Sequence, residues 1–398
     1  MTEERRQKKR RQPSSGIRHP LSVIRPRCRR RTGIYAIGLL FLLSAHRRDA
    51  CGLALPPAGR VTPGESRGLI PAERGTVEAR QESSEDGNNV DASIRRLISS
   101  VDSARISKHL FYLAKDPLPY RKLNLTLPGH EKNTLYEADD YLAGKLEAWG
   151  YRVEQEGVRV QAFRRDTSKP KHAQYSPPKP EDPWYTAYNL YAEKKGRSHP
   201  DKIIVVLAHK DSQSWIDSPG ANDNAIGTVG VLEMACVLAA YTSEGTIRFL
   251  FCNEEHTPWT SKTAAQKAKS RGDNIVAVFN MDGIGAKTAE QTAAGKKTNV
   301  TAYTKPEGKH LAELMGEVNA RYSIGLEQRT AERPRPGDDD GSFVLAGYPA
   351  AVINIGSLPY GDPNYHAEGD IPETCDIENA AMTVQATLAA VVTIDRDL

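Results

Sequence analysis

His209-Lys-Asp-Ser-Gln-Ser-Trp-Ile-Asp-Ser-Pro-Gly-Ala-Asn-Asp-Asn224 follows an unbroken apolar run, Ile203 to Ala208, and precedes an apolar stretch from Ala225 to Ala240. The run has the length and β-branched content of a buried strand. The stretch after it is long enough for a helix. Polar, ligand-type side chains therefore gather where a strand ends and the chain crosses over, which is where sites form in open α/β sheets. His209 is a candidate metal ligand, and Asp211, two residues on, can orient it from behind. Asp223 comes just after Pro219-Gly220, a turn signal that folds it back toward the strand end. An H-x-D alone is weak evidence, because a loop histidine bonded to a neighbouring carboxylate is the commoner arrangement.

Three further clusters change that balance. Asn253-Glu254-Glu255-His256 directly follows the apolar segment 246–252. Two adjacent carboxylates at a buried strand end are costly unless positive charge sits beside them. Their side chains diverge, so one can bind a metal while the other handles a proton. Asn280-Met281-Asp282 again places an acid after an apolar strand, and Tyr365-His366 lies in a Gly/Pro-rich loop before the final helix. Two imidazoles and three carboxylates suit a pair of divalent metals with one carboxylate bridging. Glu254 is then left free to act as a base.

The frame around these clusters alternates strands with helices. Strands are expected at 151–163, 187–192, 203–208, 246–252, 274–281, 298–303 and 350–355. Helices are expected near 94–101, behind a Thr134–Glu137 capping box, and at 225–240, 258–270, 306–321 and 376–393. Segment 164–184, rich in Pro and Lys, reads as an inserted surface loop. The alternation predicts one α/β domain over residues 91–398 with a mostly parallel central sheet.

With the clusters in this order, the chain resembles the co-catalytic zinc aminopeptidases that include bacterial leucyl aminopeptidase, aminopeptidase Y and glutamate carboxypeptidase II. The residues that carry the likeness are Ala208-His209-Lys210-Asp211-Ser212, Pro219-Gly220-Ala221-Asn222-Asp223-Asn224, Glu254-Glu255, Asn280-Met281-Asp282 and Tyr365-His366. The resemblance implies a three-layer α/β/α sandwich with a mixed sheet, two zinc ions per chain, and a peptide or small amide substrate. It implies that His209 and Asp282 hold one zinc and Glu255 and His366 the other, with Asp223 bridging. Glu254 is then the general base and acid, Asp211 the partner behind His209, and Tyr365 a donor to the tetrahedral intermediate. A metal pair lowers the pKa of a shared water toward about 7.

The chain departs from that family in two places. Its usual glycine-containing turn after Glu-Glu is replaced by His256-Thr-Pro-Trp-Thr-Ser261, and its S-D-H-x-x-F by Asp338-Asp-Asp-Gly-Ser-Phe343. The three acids read equally as an attractor for a substrate amine or as a solvated turn. Two rival functions remain: a single-zinc acyltransferase resembling glutaminyl cyclases, and a non-catalytic receptor-like binding domain. A complete ligand set argues against the second.

The net charge of +4 is unevenly spread. Residues 1–32 carry twelve Lys/Arg against Glu3 and Glu4, a balance of +10 that leaves the remainder near −6. The basic residues lie in a leader, so they do not argue for nucleic-acid binding. Residues 34–45, IYAIGLLFLLSA, are too short for a comfortable membrane span and match a signal-peptide core. Residues 1–51 are thus expected to be a leader that exports the protein to a periplasmic or secreted location, with attachment to a membrane through 34–45 as the uncleaved alternative. Residues 52–90 read as a disordered linker. Five scattered cysteines make neither a disulfide scaffold nor a zinc–cysteine site. Nothing in the sequence speaks to oligomeric state.

Overall fold

The computed structural model describes residues 91–398. The expected leader, apolar run and linker lie outside the described residues. Three helices come first, α1 (Ala92–Ser99), α2 (Ser103–Ala114) and α3 (Thr134–Ala148), then β1 (Val153–Ala162), the two-residue β2 (Arg164–Arg165) and β3 (Tyr175–Ser176), β4 (Trp184–Lys194) and β5 (His199–His209). The chain continues through α4 (Ile226–Leu238), β6 (Gly245–Cys252), β7 (His256–Thr257), α5 (Thr260–Arg271), β8 (Asn274–Met281) and α6 (Ala289–Ala293). It closes with β9 (Thr298–Tyr303), α7 (Pro306–Arg321), β10 (Glu327–Glu332), α8 (Asp338–Leu345), β11 (Ala351–Ile355) and α9 (Ile377–Arg396).

Nine strands form one mixed sheet in the order β10-β9-β11-β8-β5-β6-β4-β1-β7. Its centre, β11-β8-β5-β6, is parallel throughout. Antiparallel strands flank it: β11 against β9 on one side, β4 against β6 and β1 against β4 on the other. The edge strand β10 returns to parallel pairing with β9, so the sheet is mixed, with a larger antiparallel share than alternation alone suggests. From β5 the chain reaches β6 on one side and then β8 on the other. The crevice at the end of β5 is the topological switch point.

Alternation along β5 divides the core into two layers. Ile204, Val206 and Ala208 pack with α4 and α9, whereas Ile203, Val205 and Leu207 pack with α5 and α8. That is the period-2 signature of a strand buried on both faces. α9 is long and apolar enough to span a membrane by composition, yet most of it is buried in this core. The three-layer α/β/α arrangement is thus present.

Several local expectations need correction. The α3 cap is Asn133, whose side chain accepts from Tyr136 N at 2.9 Å, not Thr134. Thr134 instead accepts from Lys122 N at 2.9 Å, and Glu137 pairs with His130. β10, Glu-Gln-Arg-Thr-Ala-Glu, lacks an apolar pattern because it is an edge strand, where charge protects against further pairing. Asp338–Asp340 form no solvated turn: they are the first turn of α8, with Asp339 and Asp340 fully buried. Acids suit a helix N-terminus, and Arg333 donates to Asp338 Oδ2 at 2.6 Å and also pairs with Asp340.

Arg121 ties the N-terminal helices to the site loops. It is fully buried and donates to the carbonyls of Lys210 (2.6 Å), Leu113 (2.6 Å), Pro219 (2.8 Å) and Gly220 (2.7 Å). Replacing it with Met should leave buried acceptors unpaired at Lys210, Leu113 and Pro219, while the Gly220 carbonyl keeps its bond from Ala225 N. Since each stranded group costs about 1–3 kcal/mol, Arg121→Met should lower unfolding stability by about 3 kcal/mol or more, read as a reduced urea midpoint.

Candidate metal centre

The carboxyl ends of the central parallel strands deliver the candidate ligands. His209 ends β5, Glu254 and Glu255 follow β6, Asp282 follows β8, and the loop after β11 carries Tyr365 and His366. Asp223 comes from the kinked, non-helical turn Ala221–Ala225 that leads into α4. All five candidate ligand side chains converge. Their donor atoms form two groups sharing one member: His209, Asp223 and Asp282, and Asp223, Glu255 and His366. His209 Nε2 is 3.2 Å from Asp223 Oδ1 and 3.7 Å from Asp282 Oδ1. His366 Nε2 is 3.1 Å from Asp223 Oδ2 and 3.3 Å from Glu255 Oε1. Asp223 thus turns one oxygen to each group.

The partners behind these groups set which nitrogen each histidine presents. His209 Nδ1 donates to Asp211 Oδ1 at 3.3 Å, leaving Nε2 for the shared space. His366 Nδ1 donates to the His172 carbonyl at 3.0 Å, with the same result. Asp211 is a hub: it also accepts from Glu254 N and Glu255 N at 2.9 Å each, and from His256 Nδ1 at 2.8 Å. His256, which departs from the family turn, therefore braces Asp211 and starts the short strand β7 against β1. The Asp370 carboxylate holds the backbone of the Asp223 turn, accepting from Asn222 N at 2.7 Å and Asp223 N at 3.0 Å.

Sequence reading missed His172, Gln213 and Asp370, and it placed His256 beside the site without giving it a role. Gln213 Nε2 donates to Asp223 Oδ2 and Glu255 Oε1, both at 3.0 Å. Only the H-x-D-S-Q spacing hinted at Gln213, and nothing in the Pro/Lys-rich segment hinted at His172. That segment is no free surface loop. Lys171 and Arg165 pair with Glu368, and Tyr175 joins Phe163 and Trp215 in an aromatic wall, with Trp215 centred 5.1 Å from the His366 ring. Tyr365 stacks on His366 at 3.9 Å and lines the same cavity, about 600 Å³ in volume.

Electrostatics test whether cations belong here. Burial raises the Asp282 and Glu255 carboxyls above their usual range despite the histidines beside them. Burial opposes the imidazolium of His366, but Glu255 and Asp223 push it up to about 11. His209, likewise opposed by burial, is held well above the usual value by Asp211, Asp223 and Asp282. Asp282 Oδ1 is buried with no hydrogen-bond partner. Imidazole and carboxylate donors in these numbers fit divalent ions of the zinc type. Glu254 stands apart: its Oε2 is also buried and unpartnered, and burial, then Asp339 and Asp338, raise its carboxyl well above 4.5.

Comparisons with known proteins agree with this geometry. Residues 189–392 match the model of peptidase family M28, and the chain belongs to that family. It is 27% identical over 243 residues to a probable zinc metalloprotease of Pyrenophora teres f. teres, covering 53% of this chain and 48% of that protein. A probable leucine aminopeptidase of Arthroderma otae is 28% identical over 200 residues, covering 46% of this chain and 53% of that protein. The chain spans about half the length of these curated relatives. In fold it is similar to the LapA aminopeptidase of Legionella pneumophila, with a TM-score of 0.58 at 17% identity over 79% of this chain and 78% of that one. A glutaminyl cyclase of Bacteroides thetaiotaomicron shares the fold with a TM-score of 0.55 at 18% identity, over 73% and 98% of the chains.

Asp211 gives a direct test of the bracing. Asp211→Asn should weaken metal retention by about 10–100-fold, the usual cost of losing such a partner. Metal content after dialysis against a graded chelator, with circular dichroism as the control for folding, measures it.

Proposed function

We propose that this protein is a zinc-dependent exopeptidase, and specifically an aminopeptidase that removes residues from free peptide N-termini. The observation that carries the reading is the pair of ligand groups sharing Asp223, with the Glu254 carboxyl close by and uncommitted. In this reading His209 and Asp282 would hold one zinc and Glu255 and His366 the second, with Asp223 shared by both groups. A zinc pair supplies Lewis acidity and a nucleophile at neutral pH.

The chain's own residues do the rest. Glu254 Oε2 takes the proton from the attacking water and returns it to the leaving amine, a role suited to a carboxyl whose pKa burial has raised. The Tyr365 hydroxyl donates to the oxyanion as it forms. Asp211 and His172 keep the Nε2 atoms of His209 and His366 turned toward the shared carboxylates, where they would meet the metals. Phe163, Tyr175 and Trp215 wall the site against water. The basic leader and residues 34–45 support export, with residues 91–398 as the catalytic domain.

Two measurements decide this reading. Glu254→Gln should cut turnover by about a hundredfold or more, within the range for general acid–base catalysis, and should keep its zinc. Loss of zinc in that variant would reverse the assignments of Glu254 and Glu255. The purified protein should contain two zinc ions per chain, release free amino acids from unblocked peptides, and fail on N-acetylated ones. One zinc per chain, with pyroglutamate formed from N-terminal glutamine, would replace the peptidase reading with a cyclase.

A further inference from the structure

Two cations line the cavity in front of the ligand residues without serving them: Lys262, in the first turn of α5, and Arg335, just before α8. Both side chains are exposed. Contacts between α5 and α8 bring them to one side. Ser261 and Ser342 share a hydrogen bond of 2.9 Å, and Gly341 lies against Pro336 so closely that an added Cβ would meet its carbonyl carbon at 3.0 Å. Residues next to Lys262 and next to Arg335 are thus joined through a single turn of α8.

The acids of the cavity are otherwise engaged. Asp223, Glu254, Glu255 and Asp282 belong to the metal centre, and Asp338 accepts from Arg333 at 2.6 Å. Arg333 also pairs with Asp340, so this third cation is spent inside the fold. Lys262 Nζ sits 4.6 Å over the Trp259 ring, which steers it without neutralising it. Among the described residues neither Lys262 nor Arg335 has a carboxylate partner. The same cavity also carries the apolar side chains of Leu345, Leu358 and Ile355.

We propose that Lys262 and Arg335 form a carboxylate-binding subsite, so that the enzyme prefers substrates carrying a negative charge close to the bond that is cut. This rests on the exopeptidase reading. A planar guanidinium and a flexible ammonium beside an apolar wall match a carboxylate on a short aliphatic stem. Two sources present that group: an acidic side chain on the N-terminal residue, or the free C-terminal carboxylate of a very short peptide.

The test compares kcat/KM for Glu-, Leu- and Lys-terminated peptides with amidated C-termini, and for Leu-containing dipeptides with free or amidated C-termini. The expected result is a preference for the carboxylate-bearing member of one series. Preference for Glu over Leu among amidated peptides assigns the side chain, and preference for free over amidated dipeptides assigns the C-terminus. In the Lys262→Ala, Arg335→Ala double variant the charged-to-neutral ratio should fall about tenfold, as two partly exposed charge-assisted contacts imply. Lys262→Glu with Arg335→Glu should shift preference toward Lys-terminated peptides. Hydrolysis with no charge preference, or a ratio the variants do not move, overturns the subsite and leaves the peptidase reading standing. No hydrolysis of any free peptide, neutral or charged, overturns both.

Discussion

Four carboxylates, Asp223, Glu254, Glu255 and Asp282, share one buried end of a sheet with two imidazoles. Like charges so close in a low-dielectric interior repel unless positive charge lies between them. Much else in the structure serves this constraint. The carboxylates crowd both histidines and hold them above their usual values, and Asp282 keeps an oxygen without a partner. Both are signs of a site shaped for ions more than for side-chain pairing. The scaffold holds the arrangement in place through groups outside it.

Three buried polar hubs hold it. Asp211 fastens the end of β5 to the Glu254–Glu255 turn through two backbone N–H groups, so the ligands of neighbouring strands cannot drift apart. Asp370 fastens the Asp223 turn in the same way, from a loop almost 150 residues further along the chain. Arg121 gathers the carbonyls on either side of the 210–220 loop. Each hub satisfies backbone groups that irregular loops would otherwise bury unpaired, and each leaves the ligand oxygens themselves uncommitted. The inserted segment 164–183 adds a fourth restraint, since the His172 carbonyl orients His366 while Tyr175 helps close the wall.

Much of this was legible in one dimension. Central strands buried on both faces must be continuous apolar runs, and β5, β6 and β8 stand out for that reason. Ligand-type residues directly after such runs must lie at one edge of a parallel sheet, so His209, Glu254, Glu255 and Asp282 declare a common site through position alone. Most helices with an apolar stripe were equally plain, although α2, which buries Ile106, Leu110 and Leu113 on one face, was not expected. What else escaped was structure lacking an apolar pattern. β10 is a charged edge strand, and α8 begins with three acids of which Asp339 and Asp340 are buried, Asp340 against Arg333 and Asp339 against the distant Cys252.

The sequence by itself therefore determined which segments form the central strands and the kinds of side chain at their carboxyl ends, because strand burial and residue chemistry are local properties. Tertiary structure alone decided that Asp223 faces both groups, that His172, Gln213, His256 and Asp370 stand behind the ligands, and that a Pro/Lys-rich insertion becomes a wall of the cavity. Those are relations between segments distant in the chain, set by how loops fold over the sheet edge. No periodicity encodes them.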